Sequence, residues 1–312
     1  MKKTITRVFA ILLTAVLLCG ILPLTAGAAD GIDITDKFID PAFRAAVYDA
    51  IWKTAPEPIY DSDVARITGL DVSNRNIKSL DGLIYFSELE DLWCFDNQLV
   101  TLPTLPSNLK YLLCDNNQLI SLPVLPTTLL TLWCRGNQLT ALPVLPSSLE
   151  KLSCDENRLT ILPSLPANLI EFDCYDNQLS ALPALPPKLE SIDCGSNRLT
   201  TLPALPASLI TLWCFNNRLS VLPALPMSLR RLICSYNQLT SLDVTGLQFD
   251  YLDCDNNRMK STADVKGFTG TWDNVDFIFY PQNPTPFWST WPPFLQWILQ
   301  YVLFGWLWMR WF

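Results

Sequence analysis

Residues 109 to 126 read L-K-Y-L-L-C-D-N-N-Q-L-I-S-L-P-V-L-P. Leu112 and Cys114 alternate with Leu113 and Asp115, the period-two signature of a short strand with one apolar face. Asn117 ends the strand. Its amide both donates and accepts, so it can satisfy backbone groups where the chain turns. Leu122-Pro123-Val124-Leu125-Pro126 follows. Two prolines so close together exclude a helix and favour an extended, polyproline-like return path.

The same pattern recurs every twenty residues. Cysteine stands at Cys94, Cys114, Cys134, Cys154, Cys174, Cys194, Cys214, Cys234 and Cys254, and an asparagine follows three residues after each, from Asn97 to Asn257. L-P-x-L-P occurs seven times, from Leu102 to Pro226. A fixed period of this length marks a solenoid, in which each repeat stacks only on its neighbours. The expected fold is an α/β solenoid with a curved parallel β-sheet and an extended, polyproline-like convex side. Stacked asparagines would form a ladder along it. The functional question moves from a pocket to a long exposed surface.

The repeat, L-x-x-L-x-C-x-x-N-x-L-x-x-L-P-x-L-P, resembles a leucine-rich repeat. Its ending resembles the LPX subtype of bacterial effectors of the YopM and IpaH kind, over roughly residues 67 to 260. Those effectors carry an aliphatic residue where this chain has cysteine. The ligase members also carry a catalytic domain for which this chain is too short, so ubiquitin-ligase activity is not carried over. Residues 67 to 89 read as an opening repeat of longer period, with Arg75 in place of the asparagine. Ahead of it, Asp40-Pro41 reads as a helix N-cap with proline at the first helical position. Phe43, Val47 and Ile51 then give one apolar stripe. This resembles the capping helix of secreted, internalin-like repeat proteins. A solenoid end exposes raw core, so it needs a cap.

The chain divides into a signal peptide at 1–29, an N-terminal cap with a helix at 30–66 and a solenoid at 67–267. A closing cap at 268–280 holds Phe268, Trp272, Phe277, Ile278 and Phe279. A proline-rich linker at 281–293 leads to a tryptophan-rich tail at 294–312. The leader has Lys2, Lys3 and Arg7, an apolar run and a small-residue cleavage site near Ala28. Leu18 stands where a lipidated Cys19 would need a small residue. The tail has one charge, Arg310, and as a helix would be close to a bilayer's hydrocarbon thickness. Tryptophans flank both of its ends as an interfacial belt would. The tail is expected to be a membrane helix that spans the bilayer. A helix lying in the interface and a tail packed on the solenoid are the alternatives.

Without the leader, 30 acidic residues face 19 basic ones, which disfavours nucleic acid as a partner. The chain has no histidine, and so no histidine-activated nucleophile or histidine metal ligand. No catalytic residue, cofactor or metal is expected. Three arrangements of the cysteine column are open: buried small hydrophobes, disulfides between neighbours, or metal ligands. The first is favoured. In-register parallel cysteines point the same way, whereas a disulfide needs a dihedral near a right angle, and a linear column does not converge on a metal.

If Leu92 and Cys94 point inward, positions 91, 93 and 95 and their equivalents point to the concave face. Core columns repeat monotonously, but these vary, so packing does not dictate them. Trp93, Phe95, Tyr111, Leu113 and Trp133 form one aromatic group. Trp213, Phe215, Ile233 and Tyr251 form a second, and Asp155, Glu171, Asp173 and Asp193 lie between. Tyr175 belongs to the same surface. Exposed aromatic clusters mark partner sites. The reading is a secreted or surface-tethered leucine-rich-repeat binding protein. It would recognise a protein or glycan through Trp93, Phe95, Tyr111, Trp133, Tyr175, Trp213, Phe215, Asp155, Asp173 and Asp193. A self-assembling module using the tail helix is an alternative. A carboxylate-based glycoside hydrolase, with two opposed acids, is another.

Overall fold

The computed structural model describes residues 31–282. The leader at 1–29, the tail at 294–312 and the linker from 283 onward lie outside the described residues.

Alternation produces strands where the sequence places it. β1 (Gly69–Asp71), β2 (Asp91–Trp93), β3 (Tyr111–Leu113), β4 (Thr131–Trp133), β5 (Lys151–Ser153), β6 (Glu171–Asp173), β7 (Ser191–Asp193), β8 (Thr211–Trp213) and β9 (Arg231–Ile233) lie side by side. β10 (Leu242–Asp243), β11 (Tyr251–Asp253), β12 (Val265–Lys266) and β13 (Phe277–Ile278) complete the set. Eleven of them make one parallel sheet in the order β1 to β9, β11, β13. The register follows the period, with Leu92 opposite Leu112 and Leu112 opposite Leu132. The central apolar residue of each strand (leucine except at Phe172 and Ile192) and the cysteines from Cys94 to Cys254 face inward and are buried. The proline-rich return segments carry no helix or strand. Among the described residues α-helix occurs only in the N-terminal cap, short 3-10 turns lie at Leu83–Tyr85 and Thr262–Asp264, and β10 with β12 adds a small second sheet.

The asparagines tie repeat to repeat through the backbone. The Asn117 amide donates to the Cys94 carbonyl of the preceding repeat at 3.0 Å and to its own Cys114 and Asp115 carbonyls at 3.2 and 3.0 Å. Its oxygen accepts from the Leu99 N–H at 3.0 Å. The pattern recurs down the solenoid. At the far end Gln282 takes over, donating to the Cys254 carbonyl at 3.0 Å and accepting from the Asn257 N–H at 3.1 Å. The sequence reading starts a linker at Pro281, yet Gln282 forms the last rung.

Two residues after each cysteine the chain takes a left-handed turn, at Asp96, Asn116, Gly136, Glu156, Asp176, Ser196, Asn216, Tyr236 and Asn256. Asparagine, aspartate and glycine tolerate that conformation best, and they hold six of these nine positions. At Glu156 the donation of its N–H to the Tyr175 carbonyl, at 2.9 Å, holds the turn.

Helix α1 (Pro41–Ala50) closes one end. Asp40 accepts from the Ala42 and Phe43 N–H groups at 2.8 and 3.0 Å. Its second oxygen accepts from Lys78 and Ser79 at 2.7 and 3.2 Å, which fastens the helix start to the first repeat. Arg75, standing where later repeats have asparagine, pairs with Asp49 of α1 at 2.6 Å. At the other end the rings of Phe268, Trp272 and Phe279 stack in sequence, at 4.2 and 5.3 Å. Among the described residues no helix is long and apolar enough to cross a membrane.

All nine repeat thiols are free and buried. Cys114, Cys134 and Cys154 donate S–H to the Trp133, Ser153 and Asp173 carbonyls of the next strand, at 3.3 to 3.4 Å. Burial pushes these thiols well above their ordinary pKa. Because the thiolate is the reactive form, the folded chain from residue 30 onward should resist iodoacetamide. After unfolding under anaerobic conditions it should take up nine labels, read by mass spectrometry. Four disulfides in that spectrum would overturn the free-thiol arrangement.

Candidate functional site

The in-register sheet stacks the third residue of each strand into a column on the concave face. One column runs Trp93, Leu113, Trp133, Ser153, Asp173, Asp193, Trp213, Ile233, Asp253. Trp93, Trp133 and Trp213 are 39%, 42% and 37% exposed, and Tyr111 is 40% exposed. For a tryptophan on a strand flanked by buried leucine and cysteine, that is a large area left without intramolecular cover. Trp93, Phe95, Tyr111 and Trp133 lie on or next to the adjacent strands β2, β3 and β4.

The second group has a different membership from the one read in the sequence. Tyr175 and Phe215 are two repeats apart, yet their ring centroids are 5.6 Å apart at an interplanar angle of 32°. Gly195 stands between them. A Cβ there would lie 2.5 Å from Phe215 Cε1 and 2.7 Å from Cζ. The missing side chain lets Phe215 lean across to Tyr175. The columns contain the signal, since Gly195 is the single glycine among the strand-flanking positions from 95 to 255. Reading the columns one repeat at a time misses it.

Of the acids between the groups, Asp155, Asp173 and Asp193 are half-buried and Glu171 is exposed. Asp193 lies opposite Asp173 on the neighbouring strand. Burial first, then the charges of Asp155, Asp193 and Glu171, push the Asp173 carboxyl up to about 7. Burial, with Asp155 adding to it, pushes Asp193 to about 6 even though its carboxylate accepts from the Gly195 N–H at 2.9 Å. Burial likewise raises Asp155, which accepts from the Tyr175 N–H at 2.9 Å and from Ser153 Oγ at 2.9 Å. Asp115, beside the first aromatic group, is pushed by burial to about 6. Asp173 and Asp193 are thus pushed towards neutral pH, and with Asp155, whose charge raises both, they titrate as an interacting set. The structure therefore brings Tyr175, Trp213, Phe215, Asp155, Asp173 and Asp193 onto one stretch of the face. Trp93, Phe95, Tyr111 and Trp133 form a separate stretch nearer the N-terminal cap.

Among the described residues no cluster of cysteine and carboxylate side chains is placed to hold a metal ion. A cavity at the closing cap, lined by Arg258, Lys260, Asn274, Tyr280 and Gln282, contains none of the concave residues.

No protein-family model and no curated protein matches the chain. Solved structures do. The functional domain of InlJ from Listeria monocytogenes, described as including a cysteine ladder, matches with a TM-score of 0.66 and 28% identity. The match covers 83% of this chain and 63% of that domain, so this chain spans less than two thirds of its length. An internalin, InlF, from Listeria monocytogenes matches with a TM-score of 0.53 and 16% identity over 76% of this chain and 82% of that one, which bears on the fold alone. YopM from Yersinia pestis is 29% identical over 68% of this chain and 70% of that one, with a TM-score of 0.49.

Proposed function

We propose that this leucine-rich-repeat protein, built on a solenoid of the bacterial internalin kind, is a binding protein whose concave face recognises a protein or glycan partner. One observation carries the reading. The exposed tryptophans stand in a column that runs from tryptophan to aspartate and serine, while the buried column beside it stays large and apolar (leucine, with Phe172 and Ile192) and the cysteine column does not vary. Core packing needs neither the tryptophans nor the variation. Aromatic side chains at the centre of an interface supply much of its energy.

Export through residues 1–29 and membrane contact through residues 294–312 are part of this proposal and rest on the sequence alone. Self-assembly through the tail draws on the same residues. A glycoside hydrolase needs two carboxyl groups on opposite sides of the bond it cleaves. Asp173 and Asp193 stand side by side on neighbouring strands of one sheet rather than facing each other, which favours the binding reading.

Trp133→Ala and Trp213→Ala test the proposal. Both leave the buried columns intact, so melting temperatures should stay close to the parent's. Each should weaken capture of whatever surface protein or glycan the parent retains by about tenfold, equivalent to about 1.4 kcal/mol. Immobilised full chain, challenged with bacterial and host surface extracts and then with the purified captured species, gives the measurement. Variants that fold and bind like the parent would exclude the concave face.

A further inference from the structure

The concave face is an unpartnered sheet surface with a strong bias of charge. Across the three columns from 91 to 255 it carries eight carboxylates: Asp91, Asp115, Asp155, Glu171, Asp173, Asp193, Asp253 and Asp255. It carries three cations, Arg135, Lys151 and Arg231. Two of the three are already engaged, Arg135 with Glu156 at 2.5 Å and Lys151 with Glu171 at 2.8 Å. Opposite Asp173 stands another carboxylate, Asp193, where a sheet built for its own stability would place a neutral or basic side chain. The like charges persist beside a stacked pair of rings that the fold opens a glycine to create.

Aromatic rings next to carboxylates suit one ligand chemistry above others. A cation above a ring face is attracted by the ring quadrupole, and the neighbouring carboxylates complete its coordination by charge-assisted hydrogen bonds. A neutral glycan could stack on the rings but would have to strip water from acids that it cannot neutralise. An acidic polymer would be repelled. Bringing a cation up also removes the mutual repulsion of Asp155, Asp173 and Asp193, a relief available only to a positively charged partner.

We infer that the stretch formed by Tyr175, Trp213, Phe215, Asp173 and Asp193 docks a basic polypeptide segment, with lysine or arginine side chains seated between the rings and the carboxylates. This rests on the concave-face reading above and narrows it to one class of partner. Arg231, on the strand after Trp213, marks the end of the basic-binding stretch, since it would repel the same ligand.

Binding of this kind is linked to protons. The charged groups acting on Asp173 are Asp155 from the β5 side, Asp193 from β7 and Glu171 on its own strand, the last paired with Lys151 of β5. A cation favours the ionised carboxylates, so affinity should rise as pH increases through the range of about 6 to 7 in which Asp193 and Asp173 ionise.

The test uses the full chain with two probes, a fluorescein-labelled oligolysine and a neutral chito-oligosaccharide, read by fluorescence anisotropy and calorimetry. Oligolysine should bind more tightly above neutral pH than below it. Its affinity should fall about tenfold or more in the Asp173→Asn, Asp193→Asn double variant and in Phe215→Ala. Asp81→Asn with Glu88→Gln removes the same charge from exposed positions off this face and should have little effect. If the two charge-matched double variants weaken binding equally, oligolysine reads net charge and the inference is overturned. If only the chito-oligosaccharide binds, and Phe215→Ala weakens it, the concave-face reading stands and the basic-ligand inference falls. If neither probe binds, the inference falls, and Trp133→Ala and Trp213→Ala decide the broader reading separately. Melting curves on each variant separate lost contact from lost fold.

Discussion

Asn157→Ala should lower the unfolding free energy by about 2 to 4 kcal/mol, more than any exposed substitution on this surface. The Asn157 amide donates to the Cys134, Cys154 and Asp155 carbonyls at 3.0, 3.1 and 2.9 Å, and its oxygen accepts from the Leu139 N–H at 3.0 Å. Three of those partners have a second donor. Cys134 keeps Asn137, Cys154 keeps Asn177, and Asp155 keeps the Gly136 N–H. Leu139 N–H has no replacement, and a buried orphan donor costs about 1 to 3 kcal/mol by itself. The remainder comes from the weakened carbonyls and the void left by the amide. Urea melting compares this variant with Gln178→Ala, whose side chain meets Arg198 at the surface. Equal losses would mean that the asparagines do not carry the stacking.

The second large effect is a loss of stability between about pH 4 and pH 7. Asp173 in the unfolded chain gives up its proton near pH 4, whereas in the fold it does so at about 7. Between those values the folded protein holds more protons than the unfolded one. The stabilisation is therefore fully present below the lower value and is lost as pH rises through the upper. After allowance for solvent screening of a half-exposed group, Asp173 should account for about 1 to 3 kcal/mol of that loss. Asp173→Asn should flatten the profile and melt above the parent at pH 8, although the same substitution is expected to weaken ligand docking. Parallel pH profiles for parent and variant would show that Asp173 is not strained. Stability set aside for recognition is a common feature of binding surfaces.

Most of the fold was legible because a period repeated nine times reports each buried position nine times. Leu92, Cys94 and Asn97 and their equivalents need only alternation and a turn to be assigned. The left-handed turn was not read from the sequence, although Asp96, Asn116 and Gly136 favour it. What else escaped depends on contacts that break the period. The Tyr175–Phe215 stack arises because Gly195 is small, a relation across two repeats that no single repeat contains. Gln282 completes the ladder from a position twenty-five residues after Asn257 rather than twenty. The half-burial of Asp173 and Asp193 follows from neighbouring side chains that shade them, whereas alternation reports only which way a side chain points.

The asparagine joints also bear on how such a chain can change over generations. Every interior joint is made of the same atoms, so in-frame recombination can remove or duplicate a whole repeat without inventing a new seam. The caps are spared because each grips only its adjoining repeat. Gaining or losing one repeat between Trp133 and Trp213 would move the two aromatic groups apart or together by one strand spacing, about 4.8 Å. Repeat number then works as a caliper: a lineage can resize its grip to a new partner in fixed steps, leaving the hydrophobic interior as it was.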